Sequence, residues 1–365
     1  MDEIALTERL IAYDTSTAEG VRAAAEFVSG WLEARDLPVQ EFEVKGLPVL
    51  TSMVGGERAP TVIFHGHLDV VPGRKEQFRA RVEGDRLHGR GSYDMKGGLA
   101  AMMGAIQELK DQTDVRVGFC VVPDEESEED SDRATEFLVR NGFSGDFAIT
   151  GEPTDLHIGI QAKGVLAMRI EVAGTAAHGA RPWLGDNAVL KAIDTFRSIE
   201  SLPFARESSD LFDRASINLG RILGGDAHNK VPDTCMIDVE IRYLPGQDPE
   251  EILGQVVALA DVEVIKHFYR PPAIVDRNDP FVHVLTECVS GFLDTEAVSV
   301  GRDGASDAIS FITSGVPAVE FGPTGAGHHG PDEWVSIESL AFYRHALVEF
   351  VRLIPKRLER HLRIA

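Results

Sequence analysis

Cysteine is scarce in this chain of 365 residues. The three present, Cys120, Cys235 and Cys288, are far apart, odd in number and mostly embedded in apolar runs. This excludes a disulfide scaffold and argues against a Cys-based zinc site; reduced, buried thiols and a cytoplasmic location are expected. Basic residues are also in deficit, with 36 Lys and Arg against 59 Asp and Glu and a net charge of −23. Phosphate backbones and anionic membranes repel such a surface, so neither nucleic acid nor membrane is expected as a partner. Solubility is the plain reading of the charge. No uninterrupted apolar run approaches the roughly 18 residues of a membrane span. Met1-Asp2-Glu3-Ile4 has neither the basic nor the apolar region of a secretory leader. Internal repeats and low-complexity segments are likewise missing.

What is present is an ordinary globular composition, 43% apolar and 26% charged. At 39.8 kDa the chain exceeds what one core usually supports, so two domains are expected. Helical periodicity at 4–13 and 21–35, strand-like runs at Val39–Val44 and Val49–Val54, and an apolar small-residue helix at Met95–Leu109 indicate a doubly wound α/β layer structure. The texture changes near Gly164. Val165–Val172 alternates like a strand with one wet face, followed by a helix at Asn187–Ile199 and strands at Ala215–Leu223 and Thr234–Tyr243. A second helix at Pro249–Leu259 and a strand at Val262–Ile265 complete a split βαβ, ferredoxin-like α+β pattern. Pro271-Pro272 marks the return, and helices at 278–293 and 336–353 close the chain. The expected organisation is a discontinuous catalytic domain, 1–162 and 272–365, with 163–271 inserted.

Several apolar runs end directly in residues that bind metals. Thr61–Phe64 leads into His67 and Asp69, Val115–Val122 into Glu125-Glu126, Asp146–Thr150 into Glu152, and Val316–Phe321 towards His329; Asp94 stands before the Met95–Leu109 helix. In open α/β sheets, ligands sit outside the carboxyl ends of the strands, so these stations can meet in one crevice. His-x-Asp at a strand end puts His67 and Asp69 on one side of the backbone, where Asp69 can orient a metal-binding imidazole. His65 points the same way but lacks a carboxylate two residues on, so His67 ranks first. Asp94 lies among Gly89, Gly91, Gly97 and Gly98; it reads either as a helix cap or as a carboxylate bridging two metals in tightly packed backbone. Asp124–Asp132 holds seven carboxylates in nine residues. From Glu128 onward this reads as a solvated run. Adjacent glutamates at a strand end diverge, so one of Glu125 and Glu126 can ligate metal while the other faces the attacking water. Glu152 also reads as a helix-initiating residue, and His329 as a loop histidine. Taken together, two nitrogen and several oxygen ligands suit zinc and, less specifically, cobalt or manganese.

His-x-Asp, Gly-x-x-Asp-Met-Lys-Gly-Gly, Asp-Glu-Glu, Gly-Glu-Pro-Thr and His-x-x-Asp-Glu occur together over essentially the whole chain. In this combination the sequence resembles the dinuclear-zinc family of acetylornithine deacetylase, succinyl-diaminopimelate desuccinylase, aminoacylase and carboxypeptidase G. The resemblance implies that Asp94 bridges two Zn²⁺, one also held by His67 and Glu152, the other by Glu126 and His329. It implies Glu125 as general acid/base, Asp69 as support for the ligating imidazole, and a cis peptide at Asp94–Met95. The inserted region looks like the family's lid and dimerisation domain, implying a homodimer in which His178 reaches a neighbouring site to stabilise the oxyanion. Asn229, Arg242 and the Gly304–Ala308 loop, with Gly304 and Ser306, match positions beside the substrate; Arg302 and Asp303 receive no role. Hydrolysis of the amide of an N-acyl-L-amino acid is the leading expectation. A dipeptidase or carboxypeptidase is the alternative, and an inactive metal-binding scaffold is the remote one.

Overall fold

The computed structural model describes residues 2–57, 59–127, 133–260, 262–293, 299–304 and 306–362, with the backbone alone over 359–362. The acidic run from Glu128 to Asp132, and Ala305 in the Gly304–Ala308 loop, lie outside the described residues. The chain separates into two compact units. The first comprises Met1–Ile160, Val275–Val300 and Ser306–Ala365; the second comprises Gln161–Ile274 and Gly301–Ala305.

The first unit opens with two helices, α1 (Glu3–Ile11) and α2 (Ala18–Glu33). Both start at capping residues: Asp2 accepts the Ala5 amide at 2.9 Å and Thr17 accepts that of Gly20 at 3.1 Å. Strands β1 (Gln40–Val44) and β2 (Leu47–Val54) form a hairpin. Next come β3 (Thr61–His67), the short β4 (Arg81–Glu83) and β5 (Arg86–His88), and helix α3 (Gly97–Leu109). Then follow β6 (Arg116–Val122), α4 (Ala134–Arg140), β7 (Phe147–Thr150) and β8 (Ile158–Ala162).

Sheet order here runs β1-β2-β6-β3-β7, continued by β15 (Ala318–Glu320) and β8. The central pairs β6–β3, β3–β7 and β7–β15 are parallel, with Ile63 opposite Gly118 and His67 opposite Val122. Parallel strands covered on both faces must be apolar throughout, and Val62, Ile63, Phe64, Val117, Phe147 and Ile149 are fully buried. Helix α3 is apolar on nearly every side, which suits an interior helix, and it packs on α1 and on the long helix α9 (Ile337–Leu362). The second unit contains β9 (Gly164–Ala173), α5 (Ala188–Ile199), β10 (Ser216–Gly224), β11 (Thr234–Tyr243), α6 (Pro249–Val257) and β12 (Val262–Arg270). Their antiparallel sheet has the order β10-β11-β9-β12, the ferredoxin-like arrangement. Leu166, Met168, Ile170 and Val172 point every second side chain into a core shared with Ile237, Val239, Ala192 and Val256.

The remaining elements are β13 (Ala273–Ile274), α7 (Pro280–Val289), β14 (Ser299–Arg302), α8 (Ala308–Ile312), β16 (Gly325–Ala326) and β17 (Trp334–Ser336). Sequence periodicity missed β8 and α8, of five residues each, and the small sheet β16-β17-β5-β4, because elements of two to five residues hold too little of a period to read. It also ended β12 at Ile265. Pairing with β9 carries that strand on to Arg270 through a polar, largely exposed stretch.

Candidate metal centre

Three neighbouring parallel strands, β6, β3 and β7, deliver the site. His67 is the last residue of β3, the Glu125-Glu126 turn follows β6, and Glu152 follows β7. Asp94 comes from the irregular turn Ser92–Lys96 ahead of α3, which contains a cis Asp94–Met95 peptide where the resemblance implied one. Glycines let this turn pack closely. Gly91 has φ of 76°, and a Cβ there would meet Val70 Cγ1 at 2.6 Å; a Cβ on Gly98 would meet the Gly151 carbonyl oxygen at 2.7 Å. The turn is held by one buried carboxylate. Glu333 accepts the amides of Gly91 at 2.9 Å, Tyr93 at 3.0 Å and Asp94 at 3.2 Å, and pairs with Arg90 at 2.7 Å.

The two oxygens of Asp94 face different partners. Its Oδ1 lies 3.1 Å from His67 Nε2, which in turn lies 3.9 Å from Glu152 Oε1. Its Oδ2 lies 3.3 Å from His329 Nε2, which lies 2.9 Å from Glu126 Oε1. Around Asp94, the ligand atoms of His67 and Glu152 form one close cluster and those of His328 and His329 another, each within 4.8 Å. His328 was not singled out in the sequence. A positive φ of 57° at His329 turns the loop so that both rings, centroids 4.3 Å apart, approach Asp94.

Electrostatics describe a centre short of positive charge. Burial pushes Glu125 well above the usual carboxylate range; the His67 imidazole opposes this, and Asp307, Asp94 and Glu126 add to it. Burial likewise raises Glu152, with the Asp94 charge next. Burial would raise Asp94 too, but His328, His329 and His67 outweigh it and hold that group well below its ordinary value. Hydrogen bonds that the His329 ring donates to Asp94 and Glu126 push its pKa up to about 10. Glu152 Oε1 is buried with no hydrogen-bond partner among the described residues. Imidazole nitrogens, crowded carboxylates and an unsatisfied buried oxygen are a donor set that a divalent cation fits.

Asp69 does more than face an imidazole. Its carboxylate lies 3.5 Å from His67 Nδ1, but it accepts the amides of Glu125 at 3.2 Å and Glu126 at 2.8 Å. The nearer partner of His67 Nδ1 is the Asp69 backbone oxygen, at 3.0 Å. His65 is turned to other work: its Nε2 lies 2.8 Å from Thr135 Oγ1, whose hydroxyl donates to Asp307. Ser306 is buried and accepts the Ala308 amide at 3.3 Å, while Gly304 is exposed.

In the second unit His178 is exposed, its Nδ1 accepting the Ala180 amide at 3.0 Å. Asn229 is exposed beside it, its carbonyl accepting the Gly179 amide at 2.7 Å. Arg242, half-buried on β11, donates to Glu240 at 2.8 Å. Asp303, left without a role by the sequence, pairs with the buried Lys163 at 2.7 Å. The residues that pattern reading missed (Glu333, His328, Arg133, Asp307) carried no local signal apart from their place in or beside recognisable motifs.

Comparison with known proteins identifies the family. A succinyl-diaminopimelate desuccinylase of Hahella chejuensis is 28% identical over 322 residues, covering 81% of this chain and 84% of that protein. One from Rhizorhabdus wittichii is 29% identical and covers 99% of both chains. Among solved structures, an M20 family metallo-carboxypeptidase of Sulfolobus solfataricus superposes with a TM-score of 0.80 at 20% identity, covering 98% of this chain and 100% of that one. Residues 63–353 match the peptidase family M20/M25/M40, and the chain belongs to that family of metal-dependent hydrolases that act on amides.

Proposed function

We propose that this enzyme removes the acyl group from an N-acyl-L-amino acid, as a deacetylase or desuccinylase, using two Zn²⁺ for which Co²⁺ or Mn²⁺ can substitute. The observation that carries the reading is the division of one carboxylate: Asp94 turns one oxygen to His67, which clusters with Glu152, and the other to His328 and His329, the latter also 2.9 Å from Glu126. His67 and Glu152 would hold one cation, Glu126 and His329 the other, with Asp94 between them. Bound cations would supply Lewis acidity towards the scissile carbonyl and a lowered pKa for water.

The chain's own residues do the rest. Glu125, raised by burial, takes the proton of the attacking water and returns it to the departing nitrogen. Asp69 holds the Glu125 and Glu126 amides and backs the His67 ring. His178 is assigned the oxyanion, and Asn229, Arg242, Gly304 and Ser306 the substrate, Arg242 through a carboxylate. The relatives named as desuccinylases support an acyl-amino-acid substrate over a dipeptide.

A homodimer formed through the second unit is part of the proposal. Helix α5 buries Ala188, Ala192 and Ile199, yet leaves Leu190 60% and Ile193 42% exposed, and Trp183 just before it is 75% exposed. Leu190 and Ile193, three residues apart on one helix face, support an interaction surface there. Cytoplasmic residence is supported by the free thiols of Cys120, Cys235 and Cys288. Among the described residues no helix is long and apolar enough to cross a membrane. A panel of succinyl-, acetyl- and formyl-amino acids and dipeptides, assayed with added zinc or cobalt, tests the reading. Cleavage of acyl-amino acids is expected; faster cleavage of dipeptides would replace it with the peptidase alternative.

A further inference from the structure

The Glu125–Ser127 turn is gripped from two sides. Asp69 takes the Glu125 and Glu126 amides, as described above. On the opposite side the Arg133 guanidinium donates to the Glu125 carbonyl at 2.7 Å and to the Ser127 carbonyl at 3.0 Å. Arg133 is 6% exposed and stands immediately before α4. Its Nη1 also lies 3.5 Å from Asp307 Oδ1, and Asp307 is 2% exposed. Asp307 is fixed in turn by the Thr135 hydroxyl and by His65 Nε2 at 3.4 Å. Asp124 closes the same loop by accepting the Ala134 amide at 3.1 Å. A buried charged pair of this kind is costly to place unless geometry and hydrogen bonds compensate, and here the compensation goes into a turn that bears chemistry.

We propose that Arg133, held by Asp307, is a positioning residue for Glu125: it fixes the carbonyl side of the turn so that the carboxylate is presented to the substrate at one angle. Carbonyls are the acceptors, so a planar guanidinium is the side chain that can span both at once. Lysine has a single donor head and cannot span both in the same way. The inference rests on reading Glu125 as the base. It adds that the base is set in place by a cation that never touches substrate.

Arg133→Met, Arg133→Lys, Asp307→Asn and Glu125→Gln, singly and with Arg133→Met combined with Glu125→Gln, test it on the acyl-amino acid the wild type cleaves fastest. Arg133→Met is expected to lower kcat about 10- to 100-fold, the scale of a small misplacement of a reacting group, with KM and zinc content little changed. Arg133→Lys and Asp307→Asn should lose less. In the metal-free protein, amide exchange over 124–127 should quicken in Arg133→Met. Added to Glu125→Gln, Arg133→Met should cost nothing further, because a positioning effect disappears with the group positioned; a merely structural loss would multiply.

Should Arg133→Met fail to fold, Arg133→Lys against the same Glu125→Gln background gives the same comparison. Wild-type kcat, unchanged exchange, or multiplying losses overturn the inference. Full activity in Glu125→Gln overturns the base assignment, and this inference with it. An inactive Glu125→Gln beside a fully active Arg133→Met overturns this inference alone.

Discussion

Glu333 Oε1 accepts the backbone amide of Asp94 at 3.2 Å, so the carboxylate set among three imidazoles is presented by a second carboxylate behind it. The same side chain takes two more amides and the Arg90 guanidinium. Glu333→Gln keeps the shape but turns a donor towards donors. It is expected to cost about 3–5 kcal/mol of stability, the range for breaking a buried pair, and to reduce bound metal. Denaturant unfolding and elemental analysis check this; an unchanged midpoint with full occupancy would refute the assignment.

Asp69→Asn separates two roles. Asparagine has one acceptor oxygen where Asp69 offers two, so one of the Glu125 and Glu126 amides loses its partner. A fall in kcat of about 100-fold is expected, with metal retained. If the imidazole contact were the main role, metal content would fall instead.

His329→Ala and His67→Ala should each remove one of the two cations assigned here and leave the other. Titration with zinc, read by elemental analysis after desalting, is expected to give half the wild-type stoichiometry in either variant. Loss of all metal in both would mean that the sites are not separable.

Metal-free protein should lose stability as pH rises from 5 to 7. Glu125 and Glu152 are raised in the folded state, so over this window the folded chain holds protons that the unfolded chain has released. His329, at about 10 when folded against 6.5 unfolded, and His67, also raised, contribute stability that is full below 6.5 and is lost as pH climbs towards their folded values. Asp94, held low, is ionised throughout and adds no slope. Buried Lys96, lowered to about 7, acts in the opposite direction only above that pH. Thermal midpoints of chelated protein should fall across the window, and the gap to zinc-loaded protein should widen; a rising midpoint would contradict this.

Leu190→Glu places a charge on the exposed apolar face of α5. Sedimentation should show a dimer for the wild type and a monomer for the variant, with the helix itself intact by circular dichroism. A wild type that is monomeric at all concentrations would refute the proposed interface.

The sequence determined the longer elements and the chemical inventory. Alternation in Val165–Val172 and Thr234–Tyr243 and the apolar runs before His67, Glu125 and Glu152 were legible because burial leaves its period in the residues themselves. The motif set singled out His67, Asp94, Glu126, Glu152 and His329 as candidates, together with the cis peptide after Asp94. Tertiary structure alone decided that β6, β3 and β7 are neighbours, which puts three distant strand ends side by side. It also decided that Glu333 and Arg133 reach across 242 and 8 residues to hold the backbone of the site. A side chain that grips a distant main-chain amide or carbonyl leaves no period and no spacing in the sequence, because its partner is the backbone every residue shares.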